Sequence, residues 1–211
     1  LHAALPRFPP PRTRINSGVR PRLAPLLDFD RRKIELANSL LFTLPGSPIV
    51  YYGDEIGMGD NIHLRDRNGV RTPMQWEDSV NAGFSEGKPF SKPVTGKLGY
   101  KLVNVKAQID DPNSLFNTIK RMIAVRKRHA AFAGSGMEWV EAGNPSVAVY
   151  LRQYEDDTML ILNNLSSVEQ VIKLPVEYQR ESLDLLTGKA LLLTGEMKVQ
   201  PYSYFWLHFQ T

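Results

Sequence analysis

Residues 28–55, DFDRRKIELANSLLFTLPGSPIVYYGDE, decide how this chain is read. Asp28 or Asp30 can cap a helix, and Ile34, Ala37, Leu40, Leu41 and Leu44 fall on one stripe at helical spacing. Pro45-Gly46 then stops the helix. The apolar run Ile49-Val50-Tyr51-Tyr52 follows, short and without alternation, as expected of a strand buried on both faces in a parallel sheet. Helix, tight turn and buried strand make one unit of α/β architecture.

Downstream, residues 56–110 hold no sustained period and many Gly, Asn, Asp and Pro. A loop this long inside a compact domain is usually functional. A second helix is expected to start at Asp111-Pro112 and to carry Leu115, Ile119, Met122 and Ile123 on one face. Lys127-Arg128-His129 suit its C-terminal dipole, and a linker runs from Ala130 to Gly136.

From Met137 the period drops to two. Val147, Val149 and Leu151 alternate with Ala148, Tyr150 and Arg152, and Met159–Leu162 follows the turn at Glu155-Asp156-Asp157. Further short strands are expected over 168–174, 182–186, 191–199 and 202–209, broken by Asn163-Asn164, Thr187-Gly188 and Thr194-Gly195. That spacing reads as an antiparallel β-sandwich over 137–211. The fold class is therefore α/β plus all-β, with only one convincing parallel strand in the α/β part. One strand cannot close such a sheet, so that part reads as a piece of something larger.

Upstream, LHAALPRFPPPR lacks periodicity, and Pro9-Pro10-Pro11 forbids a helix. Residues 1–13 read as a disordered, basic, proline-rich tail without the features of a signal peptide. The net charge of +4 comes from 26 Lys and Arg against 22 Asp and Glu. Residues 1–22 hold five of those arginines and no acid, which leaves 21 bases against 22 acids elsewhere. The folded part thus offers no basic face, and no nucleic-acid partner is expected. No apolar run reaches the roughly 20 residues of a membrane span, so no membrane partner is expected either. The 211 residues include no cysteine, which excludes disulfides and thiolate chemistry and is compatible with the cytoplasm.

Chemistry is expected on the loop beyond the strand, because α/β active sites form outside the C-terminal strand ends. Asp54, Glu55, Asp60, Asp66 and Arg71 lie there, flanked by Tyr51, Tyr52 and Trp76, whose rings could stack on a sugar. For any one of these acids loop solvation and capping are the commoner role, and for any one of the rings packing is. His63, His129 and His208 show no metal-ligand spacing, and no HExxH occurs, so no metal site is expected. Neither a G-x-S-x-G elbow nor a dinucleotide fingerprint is present.

SPIVYYGDEIGMGDN (47–61) and DRNGVRTPMQW (66–76), together with RINSGVRPRLAPLLDFDRRKIELANSLLFTLPGSP (14–48), resemble the alpha-amylase family of glycoside hydrolases and transglycosylases. The resemblance implies the C-terminal portion of a (β/α)8 barrel over 14–133, followed by the family's antiparallel C-terminal sandwich. In that frame 31–44 is the seventh barrel helix, 49–53 the eighth strand, 54–110 the loop after it and 114–131 the eighth helix. It also implies a retaining glucosyl transfer on a maltose- or trehalose-like disaccharide, nearest to the members that isomerise maltose to trehalose. The family's alpha-glucosidases, including those acting on 1,6-linkages, and a non-catalytic carbohydrate-binding module remain alternatives. The family's nucleophile, acid/base and transition-state-stabilising carboxylates sit on earlier strands, the last within an N-H-D motif that this sequence lacks. No catalytic residue is therefore assigned here. Arg71 of the RTPMQW motif is implied to shape the sugar pocket through a charge pair, with Asp66 a second substrate-binding candidate. Asp54 and Glu55 are implied to be structural support. No cofactor is expected, calcium being implied only in segments outside this chain, and the oligomeric state is left open.

Overall fold

In the computed structural model, the described residues are 21–209 apart from Ile62, Arg65 and the side chain of Asp66. The tail expected over 1–13 lies outside them. They form two compact units: Tyr51–Ser114 with the segment up to Phe29, and Asp30–Val50 with the chain from Leu115 onward.

The first unit is built from turns. It holds a single-turn helix α1 (Leu23–Leu26), short 3-10 turns at Asp54–Ile56, Asp66–Val70, Val80–Gly83 and Gly96–Leu98, and helix α3 (Val105–Ile109). Asn104 caps α3 by accepting from the Ala107 N–H at 2.8 Å. The absence of a sequence period is thus real, yet the segment is ordered by side-chain–backbone hydrogen bonds. Gln75, fully buried, donates to the Leu98 and Val103 carbonyls, while the Val105 N–H returns to the Gln75 carbonyl at 3.0 Å.

The second unit carries helices α2 (Arg31–Thr43) and α4 (Leu115–Arg128) with eight antiparallel strands. These are β1 (Met137–Trp139), β2 (Val147–Tyr154), β3 (Asp157–Asn164), β4 (Gln170–Lys173), β5 (Glu181–Asp184), β6 (Lys189–Leu192), β7 (Glu196–Val199) and β8 (Tyr204–His208). A six-stranded sheet runs β1-β2-β3-β8-β5-β6, and β4 pairs with β7 in a second sheet. The expected run 191–199 divides at Thr194-Gly195 into β6 and β7, one in each sheet. Val149, Leu151, Leu160, Leu162 and Leu207 pack with Ile172 and Val199 into the sandwich core.

The alternate residues of the large sheet are buried too, against the helices. The Thr43 hydroxyl lies 2.6 Å from Tyr150 Oη, Ser39 donates to Asn163 Oδ1 at 2.7 Å, and Trp206 Nε1 donates to the Ser39 hydroxyl at 2.9 Å. Tyr204 donates to Glu35 Oε2 at 2.9 Å, and burial beside that carboxylate pushes the phenol well above its ordinary range. Glu35, Ser39 and Thr43 are spaced i, i+4, i+8, so a polar stripe of α2 meets the sheet.

Several expectations need correcting. Residues 49–52 form no strand: among the described residues no other strand pairs with them, and Ile49 is 84% exposed. A parallel strand has its backbone satisfied by neighbouring strands; here the Tyr51 carbonyl accepts from the Asp54 N–H at 3.0 Å and the Tyr52 carbonyl from Arg22 instead. Of the stripe expected to face the core of α2, Ile34 is buried and Ala37 and Leu40 are half-buried. Leu41 and Leu44 are exposed, while Leu36, Asn38, Ser39, Phe42 and Thr43 are buried. Hydrogen bonding to Tyr150, Asn163 and Trp206 lets polar groups occupy the inner face at little cost. Helix α4 starts at Leu115 rather than Pro112, because Asp111 closes a turn first, its Oδ1 accepting from the Asn113 N–H at 2.9 Å. No helix among the described residues is long and apolar enough to cross a membrane.

Candidate functional site

Gly53 makes the turn that begins the long loop. Its φ is +88°, and the Met58 N–H bonds its carbonyl at 2.8 Å. A Cβ at this position would meet Met58 Sδ at 2.6 Å, so only glycine meets both the left-handed backbone and the close approach. Gly53→Ala is expected to cost about 2 kcal/mol, read as lost amide-exchange protection at Gly57 and Met58; unchanged protection would show that the turn adapts.

Arg22 is the side chain that ties this region together, although in the sequence it reads as one of five arginines in the acid-free stretch 1–22. It is 3% exposed. Its guanidinium donates to the Tyr52 carbonyl at 2.6 Å, the Val70 carbonyl at 2.8 Å and Asp54 Oδ1 at 3.2 Å. The Tyr51 and Tyr52 rings sit 4.9 Å from its carbon, each in cation–π range. Its backbone N–H binds Asp60 Oδ2 at 2.8 Å. Burial pushes the Asp54 and Asp60 carboxyls above their usual range, and the Arg22 charge opposes this only in part. The only sequence signal was position: Arg22 directly precedes the apolar turn Leu23–Leu26, unlike the arginines among the prolines.

These contacts position a cavity of about 480 Å³ within the first unit, open to solvent. Tyr52, Glu55, Arg71, Met74, Trp76 and Phe90 are among the residues around it. Tyr52 is oriented by its hydroxyl, which donates to the Thr72 carbonyl at 2.8 Å. Glu55 is held by the Gly53 N–H at 2.7 Å. Trp76 is half exposed, and its backbone N–H donates to the Ala82 carbonyl at 2.9 Å. Arg71 is exposed on this wall and makes no ion pair with another described residue. An aromatic wall with one permanent planar cation suits a sugar ring plus a carboxylate.

Of the acids singled out, Glu55 reaches the cavity, whereas Asp54 and Asp60 are engaged by Arg22. The Asp66 side chain lies outside the described residues. Trp139 sits on the second unit rather than at this cavity, edge-on to Tyr150 with ring centroids 5.4 Å apart. The fold also assembles a group that chain spacing passed over. His129, Asp157 and His208 place their ligand atoms within 4.8 Å of one another.

Comparison with known proteins identifies the frame. The alpha-amylase catalytic domain family matches residues 13–135, and the maltogenic amylase C-terminal domain matches residues 137–206. Trehalose synthase/amylase TreS of Mycobacterium tuberculosis is 51% identical over 174 residues, covering 79% of this chain and 29% of that protein. An oligo-1,6-glucosidase of Parageobacillus thermoglucosidasius is 29% identical, covering 82% of this chain and 37% of its own length. Among solved structures, the trehalulose synthase MutB from Pseudomonas mesoacidophila MX-45 aligns with a TM-score of 0.73 at 22% identity, over 89% of this chain and 41% of that one. The fold is thus the C-terminal portion of a (β/α)8 barrel joined to an antiparallel sheet domain, and the chain spans under a third of the TreS relative's length.

Proposed function

Because the chain belongs to the alpha-amylase family, we propose that it forms the C-terminal part of an enzyme that isomerises maltose to trehalose in the cytoplasm. The observation that carries this reading is the much higher identity to trehalose synthase than to oligo-1,6-glucosidase over similar shares of the chain. The site geometry supports it, since the loop after the expected eighth strand offers a sugar-sized, aromatic-walled cavity with Arg71 exposed on it.

In this reading a carboxylate from another part of the enzyme attacks the anomeric carbon of maltose while an acid protonates the leaving glucose. That glucose turns and returns through its anomeric hydroxyl, and the glucosyl bond re-forms with retention. Water must be kept out during the turn, or hydrolysis competes. The Tyr52–Trp76 wall and the 54–110 loop supply part of that enclosure. Arg71 clamps a carboxylate bidentately and so fixes the sugar pocket from one side.

The test uses the enzyme encoded by the complete reading frame. Maltose should give trehalose with glucose as the minor product, and Arg71→Ala should raise the KM for maltose by roughly 10- to 100-fold, the worth of a charge-assisted hydrogen bond. Glucose as the dominant product would favour the alpha-glucosidase reading instead. Maltose binding without turnover by that enzyme would favour a non-catalytic sugar-binding module.

A further inference from the structure

We propose that His129, Asp157 and His208 form a binding site for a divalent transition-metal ion, with zinc the best match. The site stands on the second unit and is independent of the sugar chemistry above. Each ligand comes from a different element: His129 follows the last turn of α4, Asp157 opens β3 and His208 closes β8. Met159 of β3 pairs with His208, and Asp157 precedes Met159 by two residues, so strand periodicity puts Asp157 and His208 diagonally on one face. That is the face on which Asn163 and Trp206 meet α2, and α4 delivers His129 to its edge.

The distances fit an ion. His129 Nδ1 and His208 Nε2 each lie 3.3 Å from Asp157 Oδ1. A tetrahedral zinc with bonds of about 2.0–2.1 Å has ligand–ligand edges of about 3.3–3.4 Å. The two nitrogens lie within 4.8 Å of each other and close to that edge by small ring rotations, their centroids being 5.2 Å apart. The carboxylate is pre-oriented: Asp157 Oδ2 accepts the Ala131 N–H at 3.1 Å, which leaves Oδ1 to the ion, as outer-shell hydrogen bonds do in metal sites. All three side chains are about a fifth to a quarter exposed, so an ion can enter and water can complete its coordination. Two imidazoles and one carboxylate select zinc, nickel or copper over magnesium or calcium, which want oxygen ligands. Bound there, the ion would pin the end of α4 to the large sheet.

The experiment titrates the full 211-residue chain with zinc chloride against a chromophoric chelator. One ion per chain is expected, with affinity reduced at least tenfold in His208→Gln and in Asp157→Asn. Cobalt titrated into the unsubstituted chain should give the intense visible bands of a tetrahedral site, a readout that needs no variant to fold. No saturable zinc binding would overturn the proposal and leave the cluster as two imidazoles hydrogen-bonded to a carboxylate. Binding that survives His129→Gln and His208→Gln together would overturn it as well, placing the ion on His2, His63 or the chain terminus.

Discussion

Replacing Arg152 with alanine is expected to lower the unfolding free energy of the second unit by about 4 kcal/mol, a large share of the 5–15 kcal/mol that typically holds a domain. Arg152 on β2 is fully buried. It donates to the Thr43 carbonyl at 2.5 Å, the Gly136 carbonyl at 2.8 Å and the Gly134 carbonyl, so it links α2, β2 and the linker before β1. None of these partners carries a formal charge. Burial lowers its pKa, with Arg126 nearby acting in the same direction, but a guanidinium stays charged throughout the usable pH range. Alanine removes the side chain that fills this space and leaves the buried Thr43 carbonyl without a donor, each a named source of large losses. Arg152→Lys keeps the charge but not the planar fork, and should recover less than half of the deficit. Urea unfolding followed through the buried Trp206 measures both variants. A loss below about 1 kcal/mol in the alanine variant would mean that water replaces the guanidinium at its carbonyls.

Arg22→Met is expected to cost the first unit about 3 kcal/mol near neutral pH, seen as faster amide exchange over residues 53–58. Methionine retains an apolar stem of similar length but removes the donors to Tyr52, Val70 and Asp54. The pH dependence separates the ionic part of this loss from the rest. Asp54 and Asp60 titrate above their unfolded values, so the folded form takes up protons first as pH falls. Their burial cost is fully present above the folded pKa. It is relieved as pH falls through that pKa, and levels off below the unfolded value of about 3.9. Without Arg22 the carboxyls should shift further upward, so the deficit of the variant should shrink as pH is lowered toward about 4. Adding Asp54→Asn should recover part of it at neutral pH. A deficit independent of pH would assign the whole effect of Arg22 to its carbonyl bonds.

The contrast between these two arginines shows where the sequence was legible. Arg152 sits in a clean alternating strand, and β2 and β3 were placed because a period of two survives any neighbour. Its burial was not legible, because alternation says which residues share a face and not what covers that face. Here α2 and the turn at Ala130–Phe132 cover what reads as the polar face, and hydrogen bonds to Thr43, Gly134 and Gly136 make that tolerable. Arg22 looked like one more charge in a basic stretch, since nothing local records that Asp54, Asp60 and Val70 fold back onto it.

The sequence alone determined the helices near 31–44 and 115–128, the antiparallel character of everything after 137, and the family through its GDE and RTPMQW stretches. Those are properties of local period and short contiguous motifs, which are written in neighbouring residues. Only the tertiary structure decided that 49–52 pairs with no other described strand, that Glu35, Ser39 and Thr43 form an inner polar stripe, and that Arg71 stands on a cavity wall with Tyr52 and Trp76. It alone brought His129 and His208 to one carboxylate across 79 positions of sequence. Pairing, burial and ligand geometry are relations between distant residues, set by which surfaces find partners, and no window along the chain contains them.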